Sequence, residues 1–300
     1  MPIDVSAART FIYANGRLLE QLVYAALYEQ GDPGAVVRAV SAYQNDDGGF
    51  GHGLEPDKRS PASQPLDVEI ALERLVTVGV APSDLVTRAC DHLATVADSR
   101  GAVPVLLPSI AGYPRAPHWS ATDTYTPGLV PTAGIAAYVR ALGIDHPWVD
   151  RAVEYCLAAL EHDDLPREAH ALLGVTRFLE HAVDPDRVDS LATPVAAALP
   201  GSSYFQLRPD PDSYGVTPLE FAPTPSSPAR AWFDDEVIEA HLDHLQRQQR
   251  EDGGWPVPWE PPSDASRCEW RAIRTFEALR TLVAYGLIPA PAPRAASPRA

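Results

Sequence analysis

Gln44-Asn45-Asp46-Asp47-Gly48-Gly49-Phe50 is the stretch that decides the fold of this chain, because it occurs twice. The second copy reads Gln249-Arg250-Glu251-Asp252-Gly253-Gly254-Trp255, at a constant offset of 205 residues. The loops that follow keep the correspondence, and Glu55 falls on Glu260. After a slip of two residues, 71–72 falls on 278–279. A segment that recurs in this way indicates one structural unit used twice.

Each residue type in the unit has a physical purpose. An amphipathic helix precedes each copy, at 35–43 and 234–249. The paired glycines allow backbone conformations that other residues avoid, so the helix ends and the chain turns sharply. The aromatic residue that follows is a large apolar body suited to plugging the turn. The glutamine and aspartate can bind free backbone groups there. The unit is therefore predicted to be helix, glycine turn, long loop, helix.

Helical spacing of apolar residues extends along the rest of the chain. Two helices are predicted within 6–30, with a break near Asn15-Gly16. The others are predicted at 34–44, 65–78, 82–97, 129–142, 147–161, 166–181, 184–199, 232–249 and 268–286. Pro147 and Pro166 suit a first helical turn, and Ser83-Asp84 suits a cap. No period-2 alternation persists, so the fold is predicted to be all-α.

Long irregular stretches separate many of these helices, at 45–64, 98–128, 200–230 and 250–267. Compact domains rarely keep loops of this length without a use for them. Their spacing is one helical hairpin or a multiple of it, which would place them all at one end of a ring. There they would either surround a cavity mouth or simply cap the core. The Pro- and Ala-rich segment 287–300 is predicted to be a disordered tail, which leaves 1–286 as a single domain.

Composition narrows the class of protein. The net charge of −16 and the sequence pI of about 4.9 argue against nucleic acid or an anionic membrane surface as a partner. Cys90, Cys156 and Cys268 lack the spacing of a zinc site or a disulfide framework, so we expect a reducing cytoplasm. No apolar run is long enough to span a bilayer, and no signal peptide is visible at the N-terminus.

The pattern Gln-x-x-Asp-Gly-Gly-(Phe/Trp) before a helix resembles the repeat of the terpene cyclase and protein prenyltransferase superfamily. The close resemblance covers 44–82 and 245–286, about a quarter of the chain. It implies an α/α toroid of about six helical hairpins, in which inner helices ring a central cavity and outer helices wrap them. Such a resemblance is specific for the fold and weak for the reaction.

The chain departs from the superfamily's catalytic motifs. Asp234-Asp235-Glu236 is similar to the Asp-x-Asp-Asp acid motif of class II cyclases, but position 232 is Trp, so the first aspartate is missing. This stretch is better read as the start of a helix. The zinc ligands of the prenyltransferase β subunits are also absent, since Ser266 stands two residues before Cys268 where an aspartate would be needed. Protein prenylation is therefore disfavoured.

Loop carboxylates are the candidate acid and base groups. His52, Glu55 and Asp57 lie in the loop of the first copy together with Arg59, and Glu260 is the second-copy equivalent of Glu55. A carboxyl beside an apolar cavity has a raised pKa, which suits a general acid. The same carboxylates could instead cap helices or pair with arginines. We therefore predict His52, Glu55, Asp57 and Glu260 as catalytic candidates and Arg59 as a substrate-binding one.

Aromatic residues in the loops are the candidate lining of the cavity. They are Tyr113, His118, Trp119, Tyr125, Tyr204, Tyr214, Trp255, Trp259 and Trp270. Aromatic faces stabilise a developing carbocation by cation–π attraction, worth about 0.5–2 kcal/mol each. This is what polyene cyclisation requires, although aromatic residues also simply fill cores.

These features favour an enzyme similar to the terpene cyclases, which would bind an apolar isoprenoid and start its cyclisation by protonation. Two alternatives stay open. One is a toroid that acts on carbohydrate with paired carboxylates such as Glu55 and Glu260, and the other is a toroid that only binds a ligand or partner. We expect no metal and no cofactor, and magnesium would be needed only if the substrate is a diphosphate.

Overall fold

The computed structural model describes residues 2–120, 122, 124–162, 165–211 and 213–290. Helices and the loops between them make up these ranges, and their only β-type pairings are isolated bridges such as Gln44 with Phe50. The all-α prediction is confirmed.

Twelve α-helices follow one another in the part of the chain that the structure describes. They are α1 (Val5–Asn15), α2 (Leu18–Tyr28), α3 (Pro33–Ser41), α4 (Pro65–Val78), α5 (Ser83–Val96), α6 (Leu129–Ala141), α7 (Pro147–Glu161), α8 (Ala169–His181), α9 (Pro185–Ala198), α10 (Pro218–Phe221), α11 (Asp235–Arg247) and α12 (Asp264–Ala284). Short 3₁₀ turns lie at Pro108–Ile110, Leu199–Gly201 and Pro228–Trp232.

The even-numbered helices form an inner ring. α2 contacts α4, α4 contacts α6, α6 contacts α8, α8 contacts α10, and α12 returns to α2. The odd-numbered helices pack outside them, for example α3 on α2 and α4, α9 on α8, and α11 on α10 and α12. The core lies between the two rings, where large side chains such as Trp148, Phe178 and Phe276 are fully buried. The structure is an α/α toroid of six helical hairpins.

The two glycine turns repeat each other bond by bond. In the first copy, Gln44 Nε2 donates to Gly48 O at 2.8 Å and Gly49 N donates to Asp47 Oδ1 at 2.9 Å. In the second, Gln249 Nε2 donates to Gly253 O at 3.0 Å and Gly254 N donates to Asp252 Oδ1 at 3.1 Å. The aromatic residues that follow, Phe50 and Trp255, are buried in the core. The glutamine and aspartate therefore hold the turn, and the aromatic anchors it.

Replacing Gly48 tests how far the turn depends on glycine. Gly48 has a φ of 88°, and a Cβ there would lie 2.3 Å from Arg88 O. We expect Gly48→Ala to lower the free energy of unfolding by about 2–4 kcal/mol, from the left-handed backbone and the forced displacement together. Gly79→Ala is the matched control, because Gly79 has a φ of 69° with open space around it. Equal losses in urea unfolding of the two variants would contradict the role given to the turn.

Three helix starts differ from the sequence prediction by three or four residues. α11 begins at Asp235 and not at the predicted 232, because Trp232 ends a 3₁₀ turn. α12 begins at Asp264, four residues before the predicted 268, because the Ser263 side chain accepts a hydrogen bond from Ser266 N and caps the helix. α8 begins at Ala169, so Pro166 does not lie in its first turn. Ala169 N donates to Ser203 O at 3.0 Å, which keeps the backbone ahead of α8 extended.

The residues directly after α12 stay in contact with the toroid. Leu287 N donates to Leu282 O at 2.9 Å, and Ile288 is buried against the core. The remainder of the predicted tail, 291–300, lies outside the described residues.

Candidate active site at the mouth of the toroid

The long loops come together at one end of the ring, where the inner helices begin. Ala116 N donates to Asp57 O at 2.7 Å and joins the loop before α6 to the loop before α4. Trp259, in the loop before α12, reaches Asp57 as well. Tyr214, in the loop before α10, packs against Trp259 with 5.2 Å between the ring centroids. These contacts define the mouth of the toroid.

Asp57 lies at the centre of this mouth. Its side chain accepts a hydrogen bond from Trp259 Nε1 at 2.7 Å on Oδ2. Ser266 Oγ, whose one proton also has Pro56 O within reach at 2.7 Å, lies 3.2 Å from Oδ1. His118 Nε2 lies 3.6 Å from Oδ2. Asp57 is only 1% exposed. The three side chains around its carboxyl come from two other segments of the chain.

Burial and the neighbouring donors act on the pKa of the Asp57 carboxyl in opposite directions. Burial raises the pKa of this carboxyl above its ordinary value, and His118, the Trp259 N–H and Ser266 oppose that effect only in part. The Trp270 indole N–H acts in the same direction as Trp259, although it is buried without a hydrogen bond of acceptable geometry. A carboxyl with a raised pKa retains a proton more readily, and the same donors stabilise the carboxylate once the proton has left. This is the behaviour of a general acid.

Aromatic rings continue from Asp57 around the mouth. Trp259 and Trp270 meet edge to face at 5.1 Å between centroids, and Trp259 meets Tyr214 in the same way. His170, the second residue of α8, stacks on Tyr214 at 5.6 Å. His118 packs on Trp119 at 5.0 Å. Three predicted lining residues, His118, Trp259 and Trp270, therefore lie beside the acid candidate. The predicted Tyr214 packs on Trp259, and His170, which was not predicted, joins it.

The other predicted aromatic residues contribute less to this wall. Tyr113 is among the most exposed large apolar residues of the described chain. The Tyr125 hydroxyl donates to Ser120 O at 2.6 Å, which closes its own loop. Trp119 is placed against His118, and its indole N–H is buried without a hydrogen-bond partner. Tyr113 and Tyr125 are best explained by loop structure.

Glu55 belongs to a separate buried cluster with Lys58 and Asp67. Lys58 Nζ lies 2.6 Å from Asp67 Oδ1 and 3.8 Å from Glu55 Oε2, and all three side chains are buried. Asp67 Oδ1 also accepts from Glu55 N at 2.7 Å. Burial, opposed by Lys58, raises the pKa of Glu55 to about 8. This cluster fixes the loop that presents Asp57 to the mouth.

The remaining predicted site residues hold loops together or face solvent. His52 Nε2 bonds Asn45 Oδ1 at 2.8 Å across the first glycine turn. Arg59 Nη1 pairs with Glu269 at 2.9 Å. Glu260 pairs with Arg267 at 2.6 Å and has 79% of its side chain exposed. Glu55 and Glu260 thus face different surroundings, one among buried charges and the other at the surface.

Below the mouth, α4 and α8 each keep one face partly exposed, whereas α6 is buried on every side from Pro131 to Val139. On α8 the partly exposed residues His170, Leu173, Gly174 and Arg177 recur at helical spacing, between neighbours that are buried. On α4 the same holds for Leu66, Glu69, Ile70 and Glu73. The first turns of this face carry apolar and aromatic side chains, and the later turns carry charges.

Charged pairs between inner helices lie deeper in the ring. Arg74 on α4 lies 3.6 Å from Glu277 on α12, and Arg280 Nη1 donates to Thr77 Oγ1 at 3.3 Å. Arg274 of α12 pairs with Glu220 of α10 at 3.2 Å. Since α4 and α12 are not neighbours in the ring, their pairs cross its middle. Arg74 is nine residues into α4, which places this layer of pairs, the charged floor, about 14 Å below the start of that helix.

Glu69, on the partly exposed face of α4, is an ionisable residue that was not predicted as a candidate from the sequence. Burial, with a contribution from Glu73, raises the pKa of Glu69 to about 8. Its carboxyl rests against the bare backbone of α6, because a Cβ on Gly134 would lie 1.8 Å from Glu69 Oε1. Glu69 recurs four residues before Glu73 on the open face of α4, and this spacing is the only signal in the sequence that could have identified it.

Glu69 makes stability depend on pH in a defined direction. An acid with a raised pKa binds more protons in the folded than in the unfolded state, here between about pH 4.5 and 8. The free energy of unfolding therefore falls as pH rises through this window. We expect Glu69→Gln to reduce the loss between pH 5 and pH 8 by about 1–3 kcal/mol in urea unfolding. The exposed Glu251→Gln is the control, and an unchanged pH dependence in Glu69→Gln would contradict the prediction.

No group of three or more His, Cys, Asp or Glu side chains comes together as metal ligands within the described residues. None of the helices in this part of the chain has both the length and the apolar character needed to cross a bilayer.

Comparison with known proteins identifies the fold. The chain is similar to the structure of the type II terpene cyclase MstE from Scytonema, in an Asp-to-Asn variant with geranylgeranyl dihydroxybenzoate, its substrate. The two share 15% sequence identity and a TM-score of 0.54, over 92% of this chain and 96% of the other. An Asp-to-Ala variant with the product merosterolic acid A gives 16% identity and a TM-score of 0.53, over 94% and 96%.

No protein-family model matches the chain, and no curated protein sequence is significantly similar to it. At such low identity the structural similarity shows a shared fold and does not identify the reaction.

Proposed function

We propose that this protein is a cyclase that binds a prenyl-type small molecule at the mouth of the toroid and starts its cyclisation by proton transfer from Asp57. The observation that carries the proposal is the Asp57 carboxyl, which is buried against two indole rings and hydrogen-bonded by Trp259 and Ser266. A similar toroid, that of MstE, has been observed with a geranylgeranyl-bearing substrate and its cyclic product.

The initiating step would transfer the Asp57 proton to a carbon of a substrate double bond. The π electrons form the new C–H bond, and the neighbouring carbon becomes a carbocation. Trp259 Nε1 already donates to Oδ2, one of the two oxygens on which negative charge then develops, and Ser266 Oγ, shared with Pro56 O, lies 3.2 Å from the other. Donors that need no reorganisation at the moment of reaction are the strongest source of electrostatic catalysis.

The aromatic wall would stabilise the cation that results. Trp259, Trp270 and Tyr214 form a continuous series of edge contacts beginning at the acid. Each ring facing a cation contributes about 0.5–2 kcal/mol. The carbocation would therefore be formed and rearranged in the aromatic upper cavity and kept above the charged floor.

The charged floor is the observation that favours a second candidate, a carbohydrate ligand. Arg274, Glu220 and Glu277 offer donors and acceptors that a hydrocarbon cannot use. A sugar would bind them and stack on the aromatic mouth. In this reading Glu69 would be the carboxyl partner of Asp57, since Glu55 and Glu260 face other surroundings.

A substrate screen on purified protein separates the two. The prenyl panel holds geranyl, farnesyl and geranylgeranyl diphosphates with and without magnesium, squalene, and geranylgeranyl dihydroxybenzoate. The sugar panel holds oligosaccharides of different linkage. The cyclase proposal expects a cyclic product from a prenyl substrate, detected by mass spectrometry. Turnover of an oligosaccharide without any prenyl product would favour the second candidate, and ligand-induced thermal stabilisation without turnover would favour a binding protein.

A further inference from the structure

Glu168, His170 and Tyr214 form a hydrogen-bonded chain on the wall of the mouth. Glu168 Oε1 bonds His170 Nδ1, and His170 Nε2 bonds the Tyr214 hydroxyl at 2.5 Å. Glu168 and His170 lie at the start of α8, whereas Tyr214 belongs to the loop before α10. The chain therefore joins two separate segments of the structure at one point of the cavity surface.

The chemistry of the three groups fixes the direction of these bonds. Hydrogen bonds from His170 and from two backbone N–H groups of α8 lower the pKa of Glu168, although burial alone would raise it. Glu168 is thus an ionised acceptor, and His170 must carry its proton on Nδ1 in order to donate to it. The Nε2 lone pair then accepts the proton of the Tyr214 hydroxyl. A phenol is held here in the way that a serine is held by the histidine and acid of a hydrolase triad.

The chain stands opposite the acid across Trp259. Tyr214 packs on the edge of Trp259, and the N–H of the same indole bonds Asp57. Tyr214 is 36% exposed as a residue, and its hydroxyl is held by His170. His118, which lies 3.6 Å from Asp57, is close enough to His170 for the two rings to influence each other's charge. A proton donor and a proton acceptor thus contact the same indole ring.

We propose that Tyr214, activated by His170 and Glu168, is the group that removes a proton from the substrate cation and ends the reaction. This inference rests on the proposed function and names a residue that carries out its last step. A C–H bond next to the cationic carbon breaks, and its electrons form the new double bond. The proton goes to the Tyr214 oxygen, while the phenolic proton passes to His170 Nε2. The imidazolium that forms is paired with Glu168.

The cycle is balanced in protons. Asp57 gives one proton at the start and His170 holds one at the end. His118 is exposed to solvent and lies 3.6 Å from Asp57, so Asp57 can regain its proton from solvent through His118 while His170 releases its own. Substrate and product therefore have the same composition, and the reaction is an isomerisation. A cation that is not deprotonated in time will instead be captured by water and released as an alcohol.

The test replaces the hydroxyl and keeps the ring. We expect Tyr214→Phe to lower the rate of alkene formation at least tenfold and to raise the share of hydroxylated product. His170→Gln should shift the products in the same direction. Tyr204→Phe is the matched control, because its ring lies 6.1 Å from His170 but its hydroxyl is outside the chain of bonds. The proposal is overturned if Tyr214→Phe and Tyr204→Phe give the same rate and the same ratio of products.

A second measurement does not depend on turnover. Histidine ¹⁵N NMR at neutral pH should show His170 protonated on Nδ1, and Tyr214→Phe should move its Nε2 resonance while Tyr204→Phe should not. A proton on Nε2, or an unmoved resonance, contradicts the chain of bonds. If wild type turns over no prenyl substrate, the proposed function fails. If wild type cyclises a prenyl substrate and Asp57→Asn loses turnover, but Tyr214→Phe changes neither the rate nor the ratio of products, only this further inference fails.

Discussion

Asp57→Asn is expected to lower turnover of the cyclised substrate about 10²–10⁴-fold, the usual effect of losing a general acid. The amide retains the size of the carboxyl and can still accept from Trp259 Nε1, so binding should be little changed. The amide has no acidic proton to give, whereas the Asp57 carboxyl has one, and burial raises its pKa. The loss should therefore appear in kcat and leave KM nearly constant. Initial rates at several substrate concentrations measure both.

Asp46→Asn is the matched control for this substitution, because Asp46 lies in the same loop but is exposed. It should retain the wild-type rate. The assignment of the acid would be wrong if Asp57→Asn remained active while Glu55→Gln or Glu69→Gln lost turnover. In that case another buried carboxyl with a raised pKa would supply the proton.

Lys58→Met is expected to cost about 3–5 kcal/mol of folding free energy, the largest stability effect among these substitutions. The ammonium group is 1% exposed and lies between Asp67 and Glu55, so its removal leaves two buried carboxyls without a cation. Their pKa values would rise further, since Lys58 is the group that lowers them now. The loss should thus be greater at pH 8 than at pH 5. Urea unfolding at the two pH values measures it.

A compensating variant separates charge from packing. Lys58→Met combined with Asp67→Asn removes the buried carboxyl nearest the lost cation, and we expect it to recover about half of the loss or more. Similar destabilisation in the single and double variants would mean that packing, and not an uncompensated charge, explains the effect. The single variant should also lose turnover at temperatures where it remains folded, because residue 58 follows the acid directly in the loop.

The glycine turns show how much of the fold the sequence could predict. Their pattern is local, because the bonds that form the turn run from Gln44 to Gly48 and between Asp47 and Gly49. The helices, the ring and the gathering of loops at one end follow from that unit and from helical periodicity. Local capping bonds then shifted individual helix starts, as at Ser263.

The repeat was a poor guide to the site. It suggested that Glu55 and Glu260 are equivalent, but the position that matches Lys58 in the second copy is Ser263, and the position that matches Asp57 is Pro262. Without a buried cation, Glu260 turns to Arg267 at the surface. The pairs that build the site are far apart in sequence, such as Asp57 with Ser266 and His170 with Tyr214. Spacing cannot reveal such contacts before the ring is closed.

The central claim is that Asp57 delivers a solvent-derived proton to a carbon of a prenyl substrate, and isotope incorporation tests it most directly. Enzyme equilibrated in D₂O should convert the substrate into a cyclic product that carries one non-exchangeable deuterium at the protonated carbon, as seen by mass spectrometry and NMR. Asp57→Asn should form this labelled product at least 10²-fold more slowly. A cyclic product without deuterium, or one formed equally fast by Asp57→Asn, would contradict the account.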